Sequence, residues 1–174
     1  MNKLARAKRI KLLLLDVDGV LTDGRIIYTN RGDEIKAFDV QDGFGLVLID
    51  RSGLKTALLT ARASRLLERR VRDLCVHALY QNARNKAVAF RRVKRDFRVT
   101  DAEVCFVGDE LLDLGVMKRV GLAVAVKNGR PEVKRAAHLV TRREGGRGAV
   151  REVVEFILKA QGKWSRLLYN LTLQ

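Results

Sequence analysis

The sequence has little cysteine, proline or aromatic content, and it has no long apolar run. Cys75 and Cys105 are the only cysteines in 174 residues, and their spacing fits no metal-binding pattern. Two such thiols without a secretory signal exclude a disulfide-stapled extracellular scaffold and point to a reducing, cytoplasmic compartment. The Asn170-Leu171-Thr172 triplet is then no glycosylation site. No apolar stretch approaches the ~20 residues of a membrane-spanning helix. The N-terminus, MNKLARAKRIKLLLLDVDG, begins like a signal peptide, but Asp16 cuts the apolar run short, so none is expected. Aromatic residues amount to 6%, which leaves few platforms for stacking nucleic-acid bases. Pro131 is the single proline, and it opens a helix instead of breaking one.

Acidic residues are also scarce relative to basic ones. Thirty-five Lys and Arg against twenty Asp and Glu give a net charge of +15. This balance suits anionic partners, whether nucleic acid, a membrane surface or phosphorylated and carboxylated small molecules; it also suits a merely solvated basic surface. The length and the 47% hydrophobic content fit one domain over residues 1–174 with a sizeable core.

Strand-like and helix-like stretches alternate along the chain. KLLLLDV (11–17) reads as a buried strand. RIIYT and EIKAFDV, separated by Asn30-Arg31-Gly32-Asp33, read as a β-hairpin inserted over about residues 24–40. Helices are expected at 42–52, 63–74, 85–96, 111–120 and 131–137, and strands at 55–60, 77–81, 104–109, 122–126 and 138–140. A final helix, GAVREVVEFILKAQ, and an apolar tail of no evident place occupy about residues 147–174. The alternation predicts an α/β fold: a three-layer, Rossmann-like parallel sheet covered on both faces, with the hairpin as its only insertion.

Open parallel sheets bind ligands beyond the carboxyl ends of their strands. Those ends carry Asp16 and Asp18, Thr60, and Gly108 with Asp109, while Lys86 starts a helix. Carboxylates crowded on one rim repel unless a cation neutralises them, and hard oxygen donors suit Mg²⁺ shared with phosphate oxygens. Thr60 and Lys86 add a hydroxyl and an ammonium suited to a phosphoryl group. A carboxylate at a strand end can act as nucleophile, and a second one two residues on can move protons. Each feature alone has a plainer reading: a strand-end turn, an N-cap at Thr60, a surface lysine. Their order at successive strand ends joins them.

The set resembles the haloacid-dehalogenase-like phosphatases. DVDGVLTDG matches the first motif, Thr60 the second, Lys86 the third and GDELLD (108–113) the fourth. The hairpin, DVQDGFG, LYQ, AVAV and GGRGAVREV…LKAQGKW resemble one family within that group, the capless 3-deoxy-D-manno-octulosonate 8-phosphate phosphatases, over roughly residues 8–164. The resemblance implies a Mg²⁺-dependent phosphomonoesterase of lipopolysaccharide biosynthesis that works through an aspartyl phosphate. It implies Asp16 as nucleophile and metal ligand, Asp18 as general acid/base and carbonyl ligand, and Asp109 as the remaining metal ligand. Thr60 and Lys86 would hold the phosphoryl group, with Glu110 and Asp113 behind the ligands. Substrate contacts would fall on Asp18, Asp39, Val40, Gln41, Asp42, Gly43, Val47, Arg62, Arg70 and Lys86, arginines suiting the carboxylate of a sugar acid. The resemblance further implies a homotetramer associating through the hairpins, with Arg147 reaching substrate. Ala61 stands where this family usually has glycine, and Glu110 where it has aspartate. A nonulosonate 9-phosphate is a close alternative substrate. A basic nucleic-acid-binding protein and a silent scaffold are the alternatives from other classes, and neither a nucleic-acid module nor a membrane segment is evident.

Overall fold

The computed structural model of the chain describes residues 1–173. In chain order the elements are α1 (Lys3–Ala7), β1 (Leu12–Leu15), β2 (Ile27–Tyr28), β3 (Glu34–Ile35), α2 (Val40–Arg51), β4 (Lys55–Leu59), α3 (Arg65–Asp73) and β5 (Ala78–Tyr80). They continue with α4 (Lys86–Phe97), β6 (Val104–Gly108), α5 (Leu114–Met117), β7 (Leu122–Ala125), α6 (Pro131–Ala136), β8 (Leu139–Val140), α7 (Ala149–Ala160) and α8 (Trp164–Thr172).

Six strands form one sheet in the order β5-β4-β1-β6-β7-β8, and every pairing is parallel. β1 lies in the middle, buried on both faces, which is why its sequence is four leucines without alternation. Leu13 and Leu15 enter a core shared with α2 and α7 (Leu46, Ile49, Val150, Val153, Ile157). Leu12 and Leu14 enter the opposite core with Phe90 and Val93 of α4 and Val116 and Met117 of α5. These two apolar layers are the expected three-layer α/β arrangement. β2 and β3 form a separate antiparallel pair, the hairpin.

Several boundaries differ from the sequence-based expectation. β1 stops at Leu15, so Asp16 and Asp18 lie in the turn beyond it. The helix expected from residue 42 starts at Val40, because the Asp39 carboxylate caps it, accepting the Gln41 and Asp42 amides at 2.7 and 3.1 Å. α3 begins at Arg65, two residues later than expected, and its Leu66 is exposed. The 111–120 run splits into a 3-10 turn (Leu111–Asp113) and the short α5. α1 was not expected. The unplaced tail forms α8, which buries Leu167 and sets Trp164 against Arg151 and Lys159. No described helix is long and apolar enough to cross a membrane.

Candidate active site

The site forms where β1 and β6 release their chains at the centre of the sheet. Asp16 keeps one ladder bond, its amide donating to the Val107 carbonyl at 3.0 Å. Its buried carboxylate accepts the Val17 amide at 2.7 Å and lies 2.6 Å from the Lys86 ammonium. Lys86 opens α4 behind the cap Asn85, and its side chain is only 3% exposed. The ammonium also meets Asp113 Oδ1 at 2.7 Å. The other oxygen of Asp113 accepts the amides of Asp109 and Glu110 at 2.9 and 3.1 Å. Asp113 is therefore fully engaged in tying the lysine to the β6 loop.

Gly19 has φ +89°, a region that side chains resist, and a Cβ there would lie 2.0 Å from Asp109 Oδ2. The same loop is approached from the other side by Gly145, where a Cβ would lie 1.7 Å from the Gly19 carbonyl oxygen. The D-x-D-G stretch needs its glycine because the φ is positive and Asp109 presses on it, and the close approach from the other side needs glycine at 145.

Carboxylate oxygens of Asp16, Asp109 and Asp113 fall within 4.8 Å of one another. Burial, reinforced by Asp16 and Asp113, pushes the Asp109 carboxyl up to about 8. Burial also lifts Asp16 to about 6, against the pull of Lys86. Asp109 Oδ1 is buried without a hydrogen-bond partner. No backbone amide donates to the Asp18 carbonyl among the described residues. Crowded carboxylates, an orphaned oxygen and a free carbonyl fit a hard divalent cation, which would supply the missing counter-charge. Glu110 is exposed and turns its carboxylate onto the Leu111 amide at 2.7 Å.

Thr60 is buried just past β4, two residues beyond Leu58, which pairs with Leu15. Its hydroxyl oxygen accepts the Arg62 amide at 3.2 Å. Arg62 Nε lies 3.7 Å from Asp18 Oδ2. The remaining residues expected to contact substrate lie along α2, from its cap Asp39, and on α3. Asp42 is buried and accepts the amides of Gly148 and Arg151 at 3.1 and 2.8 Å, joining α2 to the start of α7. Arg70 stacks on Phe38 and lies over Gly43. Val40 is 82% exposed, Gln41 is exposed and Val47 is half-buried. Among the described residues, no hydrogen bond or ion pair connects Asp39 to Gly43, Val47 or Arg70 with Asp16, Asp18, Thr60, Lys86 or Asp109.

Sequence reasoning missed Lys36 and Glu34. The hairpin carries the Lys36 ammonium onto Asp18 Oδ1 and sets it 3.5 Å from Glu34. E-I-K spacing placed both side chains on one strand face, but nothing local revealed which face would close on the site.

Residues 72–153 match the family model described as haloacid dehalogenase-like hydrolase, and the sheet order and strand-end carboxylates define this class. The 3-deoxy-D-manno-octulosonate 8-phosphate phosphatase of Escherichia coli K12 is 46% identical over 92% of this chain and 85% of its own length. The crystal structure of the Yersinia pestis enzyme of that name superposes with TM-score 0.92 at 44% identity, covering 94% of this chain and 88% of that one. The Moraxella catarrhalis enzyme, solved with magnesium, phosphate and the sugar acid, gives 0.94 at 37% identity, over 97% of each chain. The chain belongs to the 3-deoxy-D-manno-octulosonate 8-phosphate phosphatase family.

Proposed function

We propose that the protein is a Mg²⁺-dependent phosphomonoesterase that hydrolyses 3-deoxy-D-manno-octulosonate 8-phosphate, residues 1–174 acting as one phosphatase domain without a cap. The observation that carries this reading is the buried Asp16–Lys86–Asp113 chain beside Asp109, at the end of the central strand.

Asp16 attacks phosphorus as the bond to the sugar oxygen breaks, and Asp18 gives that oxygen its proton. Asp18 then takes a proton from the water that attacks the aspartyl phosphate, the bond from phosphorus to Asp16 breaks, and phosphate leaves. Lys86, already beside Asp16, and Thr60 hold the phosphoryl oxygens. Asp16, Asp109 and the Asp18 carbonyl would hold Mg²⁺, which supplies charge neutralisation at the transferring group. Arg62, Arg70 and residues Asp39 to Gly43 meet the sugar acid.

The assembly is a homotetramer joined through the hairpins, which expose Ile26, Ile27, Tyr28 and Ile35. Arg147, exposed beside the glycine-rich loop, reaches substrate in that assembly. The enzyme works in the cytoplasm, and its product feeds lipopolysaccharide synthesis.

The test is phosphate release with Mg²⁺ from the octulosonate 8-phosphate, a nonulosonate 9-phosphate, hexose phosphates and a 5′-mononucleotide. Strong preference for the octulosonate ester, lost in Asp16→Asn, is expected. Preference for the nonulosonate ester would keep the mechanism and change the substrate. No release from any ester would refute the reading.

A further inference from the structure

We infer that Lys36, on the hairpin, is a positioning residue that fixes the Asp18 carboxylate for proton transfer. The inference rests on the phosphatase reading above.

The two aspartates are held in different ways. The Asp16 carboxylate accepts the neighbouring Val17 amide. The Asp18 carboxylate accepts no backbone amide among the described residues; only Lys36 on Oδ1 and Arg62 on Oδ2 engage it. Both cations also meet Glu34, at 3.5 and 3.4 Å, and Arg62 donates to the Tyr28 hydroxyl at 3.0 Å. The result is a ring of alternating charge, Asp18–Lys36–Glu34–Arg62, in which each carboxylate meets two cations.

The two cations are not equivalent. The Arg62 side chain is 39% exposed, whereas that of Lys36 is 2% exposed. At 3.7 Å from Asp18 and partly open to solvent, the arginine contributes little to that pair. A buried ammonium is costly unless paired, so Lys36 stays with its two carboxylates. The hairpin's large apolar side chains, Ile26, Ile27, Tyr28 and Ile35, remain exposed, so within one chain the charge ring, with the Arg62–Tyr28 hydrogen bond and Phe38 against the core, seats the hairpin. The hairpin therefore bears on the chemistry: it brings a fixed cation to the residue that must aim a proton at the leaving oxygen.

The experiment compares kcat/KM, which reports the first phosphoryl transfer, for wild type, Lys36→Met and Lys36→Arg on three esters. These are the octulosonate 8-phosphate, a hexose 6-phosphate lacking a carboxylate, and p-nitrophenyl phosphate, whose leaving group needs no proton. Lys36→Met should lower the value on both sugar esters by on the order of tenfold or more, against the 10²–10⁴-fold that general acid catalysis supplies. The fall on p-nitrophenyl phosphate should stay within about threefold, since that ester bypasses the proton transfer. Lys36→Arg should recover most of the loss. Should Lys36→Met fold poorly by thermal melt, Lys36→Gln carries the same expectation. An equal fall on all three esters, no fall at all, or a fall confined to the carboxylate-bearing ester would each overturn the inference. Wild type inactive on every ester would sink the phosphatase reading and the inference with it.

Discussion

Replacing Gly19 by alanine separates two costs that the structure lets one count. The backbone there has φ +89°, and a non-glycine residue in that region loses ~1–2 kcal/mol. For a chain of this size that lowers the melting temperature by about 2–8 °C. The new Cβ would also lie 2.0 Å from Asp109 Oδ2, where ordinary contact begins at 3.4 Å, so the carboxylate must retreat by about 1.4 Å. A displacement of ~1 Å in an oriented site costs on the order of 10²-fold in rate. Gly53 supplies the control: its φ is +81° and a Cβ there meets nothing within 4 Å. Thermal melts and Mg²⁺ titrations of phosphate release should show both variants slightly less stable. Only Gly19→Ala should lose about two decades of kcat and bind Mg²⁺ more weakly. Wild-type turnover and Mg²⁺ dependence in Gly19→Ala, or equal losses in Gly53→Ala, would refute the reasoning.

Chelation by EDTA should stop phosphate release, with Mg²⁺ restoring it. Saturation at a hundredfold over Kd should also raise the unfolding free energy by about 2.7 kcal/mol in denaturant melts; full activity in metal-free buffer would contradict the metal site. Lys86→Met strands the buried carboxylates of Asp16 and Asp113 without a cation, and urea melts should show a loss of ~3–5 kcal/mol together with loss of turnover; a stability within 1 kcal/mol of wild type would count against the buried pairing. Burial lifts the Asp42 carboxyl from 3.8 to about 6. The folded state therefore holds this proton more tightly than the unfolded state: its ionisation costs nothing below pH ~4 and erodes stability as pH rises toward ~6. Asp42→Asn should remove that part of the slope when melts at pH 4 and 7 are compared with wild type, and an unchanged slope would refute the assignment.

The layered sheet was legible because its signals are local. Four leucines before a D-x-D-G turn declare a strand buried on both faces, and amphipathic runs such as GAVREVVEFILKAQ declare their helices. The centre of the site was legible for a related reason. Asp16, Thr60 and Asp109 all sit within two residues of a strand end, so parallel packing alone gathers them on one rim. What escaped depended on pairings between distant segments. The apolar tail became α8 because Leu167 found the core, and Trp164 found Arg151 on α7. Lys36 read as an ordinary hairpin residue because its importance lies in a contact with Asp18, eighteen positions away. Asp39 and Asp42, chosen as substrate contacts, act within this chain as caps on α2 and on the start of α7.

The two departures from the family pattern fall where the backbone and the chemistry tolerate them. Ala61 follows Thr60 without a positive φ, so the position asks for no glycine conformation. At the fourth motif the demanding positions are Asp109, whose Oδ1 lacks a protein partner, and Asp113, whose two oxygens bind two amides and an ammonium. Glu110 lies between them in sequence but outside them in space. Asp113 grips the Glu110 backbone amide, and the Glu110 side chain caps the same turn, accepting the Leu111 and Asp113 amides. A longer side chain there adds a methylene to the exposed edge and leaves the Asp109–Asp113–Lys86–Asp16 chain intact. The substitution therefore leaves the buried Asp16–Lys86–Asp113 pairing untouched and lends no support to a silent scaffold.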